Sequence, residues 1–164
     1  MKVLAYKPVL LDIEGLSVRS YANSEWRWPL DRILTASPCP VGHTTVAEDC
    51  TCGIHVTLNT AFANAFVDAT KERPLEGTFA PTLSVVQVMG GLVLDDAGNG
   101  RADRIFLWGL MPPLWMQSDR RYVNVFITKL DLENNVHTET FYDFEIIRSR
   151  VVAAWRAYEK AGKL

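Results

Sequence analysis

The sequence predicts an α+β protein in which antiparallel β-hairpins form a sheet and two helices pack on it. Three observations lead there. Apolar residues recur at helical spacing in residues 58–69 and again in 147–158. Between them, residues 83–128 switch to strand-like patterning broken by turn-rich segments. Finally, no repeat, low-complexity tract or linker interrupts the chain, so its 164 residues read as a single domain, 1–164.

Composition narrows the function classes. The chain is 48% hydrophobic and 22% charged, with a formal net charge of -2. A general nucleic-acid binder needs a basic face to neutralise phosphates, and none is visible in bulk, although a local basic patch stays open. No apolar run approaches the roughly 20 residues that span a bilayer. The N-terminal "MKVLAYKPVLLDIEG" is broken by Lys7, Pro8 and Asp12 and reads as a strand rather than a signal peptide. The expected compartment is the cytoplasm, where thiols stay reduced.

Taken in order, the first twenty residues predict two strands around a Glu14-Gly15 turn. "NSEWRWPLDRILTASPCP" predicts an irregular connection with a helical turn at "PLDRIL", Pro29 standing in its first turn. The first helix follows, with Leu58, Ala61, Phe62, Ala65, Phe66 and Ala69 on one core-facing stripe, Asn59 or Thr60 as its cap and Pro74 beyond its end. "LSVVQVMGGLVL" and "RADRIFLWGL" flank "DDAGNG" and predict a hairpin, with a bulge or close backbone approach at Gly90-Gly91. "RYVNVFITKL" and "NNVHTETFY" predict a second hairpin. The last helix carries Ile147, Val151, Ala154, Trp155 and Tyr158 on one stripe, with Asp143 near its start, Lys160 near its end and Gly162 just past it.

One segment carries chemistry. "CPVGHTTVAEDCTCGIH", residues 39–55, holds all three cysteines and two of the three histidines. Cys39 and His43 stand as C-x3-H, and Cys50 and Cys52 as C-x-C. In extended backbone, residues two apart point to one side, so Cys50 and Cys52 can reach one ion, and "TTVAED" is long enough to bring His43 back to them. Three thiolates and an imidazole complete a tetrahedral zinc shell with no open position, the form of a structural rather than a catalytic site. The fold is thus expected to be zinc-pinned in its N-terminal half. Inert buried thiols and a reactive cysteine are the alternative readings of the same residues. A Cys50–Cys52 disulfide would close a very small, strained ring.

The run H-x6-C-x-C-G-I, from His43 to Ile54, resembles a family of uncharacterised bacterial and actinophage proteins with an upstream cysteine and an H-x6-C-x-C-G-[IL]-Y motif. The matching positions are Cys39, His43, Cys50, Cys52 and Gly53; "VRSY" and "VMGGLVLDDAGNGRAD" are similar to the family's early strand and later hairpin. The likeness covers roughly residues 15–110 and departs at Thr45, Val46 and His55, the last standing where the family has tyrosine. It implies the zinc ligand set Cys39, His43, Cys50 and Cys52, with His55 as the substitute ligand, and a phage or mobile-element origin. It implies no reaction.

Other motifs are weaker. "DDAGNGRAD" offers Asp95, Asp96, Asn99 and Asp103, but an EF-type calcium loop would need Ala97 and Phe106 as ligands, so a tight turn explains it better. A thiol nucleophile would need His43, His55 or His137 within hydrogen-bond reach. The aromatic segment 106–117 reads as a lid over the core or as an exposed patch, in which case Trp115 and Met116 are the partner-binding anchors. The expected function is a small, non-enzymatic, zinc-stabilised binding or regulatory protein that engages a protein partner rather than a membrane or nucleic acid. The alternative is a small hydrolase or transferase using Cys50 or Cys52 as nucleophile, or an open zinc site.

Overall fold

The computed structural model describes residues 3–12, 17–22, 27–28, 33–70 and 79–111, together with positions 153, 156 and 160. The strands are β1 (Leu4–Asp12), β2 (Ser17–Ser20), β3 (Ile33–Thr35), β4 (Ile54–Thr57), β5 (Phe79–Leu94) and β6 (Asn99–Met111), with helix α1 (Thr60–Thr70) between β4 and β5. All described pairings are antiparallel.

The long β5–β6 hairpin forms for the reason its sequence suggests. Asp95 Oδ1 accepts the backbone N–H groups of Ala97 and Asn99, both at 2.9 Å, and Gly98 takes a positive φ of 84°. Asp95 is therefore used up in fixing the turn. Higher in the hairpin the register slips between Met89 and Leu92, so Gly90-Gly91 forms the expected bulge.

Pairing then goes beyond a stack of hairpins. One edge of β1 runs along β5 from Leu4 to Asp12; the opposite edge meets β4 at Tyr6 and β2 from Val9 onward. β6 likewise pairs β5 on one edge, and β4 and then β3 on the other. The strands β1, β5, β6 and β4 thus close a ring, and β2 and β3 extend its two rims. Closure lets the strands bury each other's inner faces. Tyr6, Val9, Leu11, Leu83, Val85, Val86, Ile105, Leu107 and Leu110 are all but inaccessible to solvent.

This closure corrects the expectation of two packed helices. A self-burying sheet needs little cover, and among the described residues α1 is the one continuous helix. Ala153, Arg156 and Lys160 have helical backbone and are exposed; the rest of the predicted C-terminal helix, like the second hairpin, lies outside the described residues. At "PLDRIL" the backbone of Ile33 to Thr35 is strand, not helix, because it adds to β6; residues 29–32 lie outside the description.

Asn59 caps α1, its Oδ1 accepting the Phe62 N–H at 3.0 Å, while its Nδ2 donates to Ala97 O and ties the helix to the hairpin turn. The face that packs inward is Ala63, Phe66, Val67 and Thr70; of the predicted stripe only Leu58 and Phe66 lie on the core, while Ala61, Phe62, Ala65 and Ala69 are exposed. Alanines fit either side of a helix and so misled the periodicity. No helix among the described residues is long and apolar enough to cross a membrane.

Candidate metal centre

The segment between β3 and β4 is a loop of two turns. Gly42 N donates to Cys39 O at 2.9 Å, with Gly42 at φ 91°, and Cys50 N donates to Ala47 O at 3.3 Å. The first turn presents Cys39 and His43. The second delivers Cys50, and the chain runs on through Cys52 before Gly53, at φ 110°, redirects it into β4.

Folding brings four ligand atoms together: those of Cys39, His43, Cys50 and Cys52 all lie within 4.8 Å of one another. Cys39 Sγ is 3.4 Å from Cys50 Sγ and 3.6 Å from His43 Nδ1, and Cys52 Sγ is 3.9 Å from the same nitrogen. Tetrahedral bonds of about 2.3 Å to sulfur and about 2.0 Å to nitrogen would separate two sulfurs by about 3.8 Å and sulfur from nitrogen by about 3.5 Å. The observed spacings lie within about 0.4 Å of those values, so the residues fit a metal ion. All three cysteines are free thiols. Coordination through Nδ1 would leave the ring proton of His43 on Nε2.

The thiols are not equivalent. The backbone N–H of Val41, with smaller help from Cys50, the His43 backbone and Cys52, lowers the Cys39 thiol from 9.0 to about 6. Cys52 is raised instead, first because it is hydrogen-bonded to Cys50 and then by burial. The cluster thus holds a ready thiolate at Cys39 and a thiol at Cys52 that yields its proton less easily. An incoming cation reverses that reluctance.

Two β6 side chains that the sequence did not single out as loop supports hold this loop on the sheet. Arg101 Nη1 donates to Cys52 O at 2.9 Å and its Nη2 to Ala47 O at 3.1 Å, so one guanidinium spans the second turn and a ligand residue. Asp103 accepts the Val46 N–H on one oxygen and the Gly91 N–H, at 2.7 Å, on the other. Asp103 therefore joins the metal loop to the β5 bulge, and Val46, 9% exposed, is buried beside Gly53 and Gly91. The signal was present: Arg101 and Asp103 stand two apart on a strand, flanking buried Ala102, and so share one face.

His55 is not brought to the cluster. It lies on β4 between buried Ile54 and Val56, its side chain exposed, and its carbonyl oxygen accepts a bond from Lys7 Nζ at 3.0 Å. Trp115, Met116 and His137 lie outside the described residues; within the aromatic segment, Leu107 and Leu110 are core residues of β6. Compared with known proteins, the chain matches no family model, no curated protein and no solved structure.

Proposed function

We propose that this chain is a small, non-enzymatic, zinc-stabilised binding or regulatory protein, in which Cys39, His43, Cys50 and Cys52 hold a structural zinc ion. The observation that carries the reading is the mutual approach of three sulfurs and one imidazole nitrogen, all within 4.8 Å of one another. Such a donor set suits zinc better than calcium or magnesium, which take oxygen. Four protein ligands leave no position for water, so the ion stitches the two turns together instead of activating a substrate.

A protein partner is supported by an exposed aromatic patch where β2 ends beside α1. Tyr21 and Phe62 are 44% and 42% exposed, and both pack on Phe66, with ring centroids 5.7 Å and 6.4 Å away. Aromatic rings of this kind anchor protein interfaces. A phage or mobile-element origin rests on the H-x6-C-x-C-G-I likeness alone.

One observation favours a second reading. In metal-free protein, Cys39 with its lowered pKa and His43 Nδ1 at 3.6 Å form a thiol–imidazole pair of the kind that serves nucleophilic catalysis. The nucleophile would then be Cys39, not Cys50 or Cys52. Elemental analysis and alkylation separate the two. One zinc per chain, with thiols that react only after chelation, supports the structural site; metal-free protein with a single fast-reacting Cys39 overturns it.

A further inference from the structure

The ring of strands has a gap, and the gap is a pocket. β4 meets β1 only at Tyr6, and β2 begins pairing at Val9, so on that edge Lys7 and Pro8 have no strand partner among the described residues. Across the opening, β3 and β4 share one edge of β6 without pairing with each other. A cleft of about 430 Å³ fills this space, walled by Trp28, Leu34, Pro38, Pro40 and Ile54, with Lys7 in its lining. Such a volume, mostly apolar with few polar groups, is that of a small-molecule site.

Lys7 sets the chemistry. Among the described lining residues no carboxylate accompanies it. Its Nζ donates to the His55 carbonyl at 3.0 Å, which employs one of its three N–H bonds. Burial lowers its pKa from 10.5 to about 8. Lys7 is half-buried, and a cation at the mouth of a largely apolar cleft attracts an anion that shares it.

We propose that this cleft binds a small organic acid, its single carboxylate on Lys7 Nζ and its apolar body against Trp28, Leu34 and Pro38. The site goes beyond the zinc reading and does not require it, although Cys52 and Pro40 of the metal loop form part of the wall. An acid seated there would bridge β1, β3 and the loop.

The test uses the full chain as purified and isothermal titration with 4-phenylbutyrate and its uncharged amide. Saturable binding of the acid is expected, with the amide weaker by about tenfold or more, since its oxygen still accepts from Nζ but no longer carries the charge that strengthens the bond. Lys7→Met, which keeps the unbranched stem of the side chain but removes its charge, is expected to bind the acid no better than the amide while keeping the natural chain's zinc content. Absence of saturable binding by the acid overturns the proposal. So does equal affinity for acid and amide, or a Lys7→Met variant that binds the acid undiminished, as it would if the carboxylate sat on the metal. If that variant does not fold, the acid–amide comparison on the natural chain decides. Zinc content measured on the same samples reports the metal reading separately.

Discussion

Removing the Asp103 carboxylate should loosen the metal loop without touching a ligand. Its two oxygens accept Val46 N–H and Gly91 N–H, and the residue is half-buried. Hydrogen bonds to a charged acceptor contribute about 1.5–3 kcal/mol each; partial exposure favours the lower end, so losing both in Asp103→Ala should cost about 3–4 kcal/mol. At about 2–4 °C per kcal/mol for a chain of this size, the melting temperature should fall by roughly 5–15 °C. Asp103→Asn keeps one accepting oxygen and should fall by about half as much. Arg104→Ala, at the neighbouring exposed position, serves as the control and should melt like the natural protein. Thermal unfolding by circular dichroism gives the melts, and zinc transfer to a competing chelator should be faster in Asp103→Ala. An alanine variant melting within about 1 °C of the parent refutes the clamp.

Three further outcomes follow from the same geometry. Gly53→Ala should destabilise by about 2 kcal/mol or more, because Gly53 has φ 110° and its new Cβ would meet Val46 Cγ1 at 2.5 Å; a denaturant midpoint equal to the parent's would contradict this. Cys50→Ser and Cys52→Ser should each lose zinc and melt markedly lower, whereas His55→Ala should keep both metal and melting temperature; elemental analysis and calorimetry on the three variants decide it. In chelated protein, Cys39 should alkylate faster than Cys52, with Cys39 reaching half its maximal rate near pH 6. The sign follows from linkage: the folded Cys39 thiol lies below its unfolded value, so it stabilises the metal-free fold at alkaline pH. That contribution is lost as pH falls through about 6. Iodoacetamide labelling with peptide mapping across pH is the check, and uniform labelling would contradict it.

Much of the site was legible because its signal is chemical and local. Cys39, His43, Cys50 and Cys52 lie within fourteen residues, so the turns around Gly42 and Cys50 suffice to gather them. The β5–β6 hairpin was legible for a similar reason, since Asp95 and Gly98 encode its turn within a few residues. Ring closure was not, because the β4 pairings at Tyr6 and with β6 join segments about fifty residues apart, and alternation within a strand does not name its partner. The roles of Arg101 and Asp103 were hidden likewise: Arg101 stands unremarked in a strand and Asp103 reads as a failed calcium ligand until the loop folds onto them. On α1, the stripe led by Ala61, Phe62 and Ala65 outscored the face that packs, because the inward positions include Thr70, whose hydroxyl is satisfied by Phe66 O at 2.9 Å.

X-ray absorption at the zinc edge, on protein purified without added metal, tests the central claim most directly. The expected first shell is three sulfurs at about 2.3 Å and one nitrogen at about 2.0 Å. It should become poorer in sulfur in Cys52→Ser. A sample with no zinc, or a shell of oxygen and nitrogen with no sulfur, would contradict it.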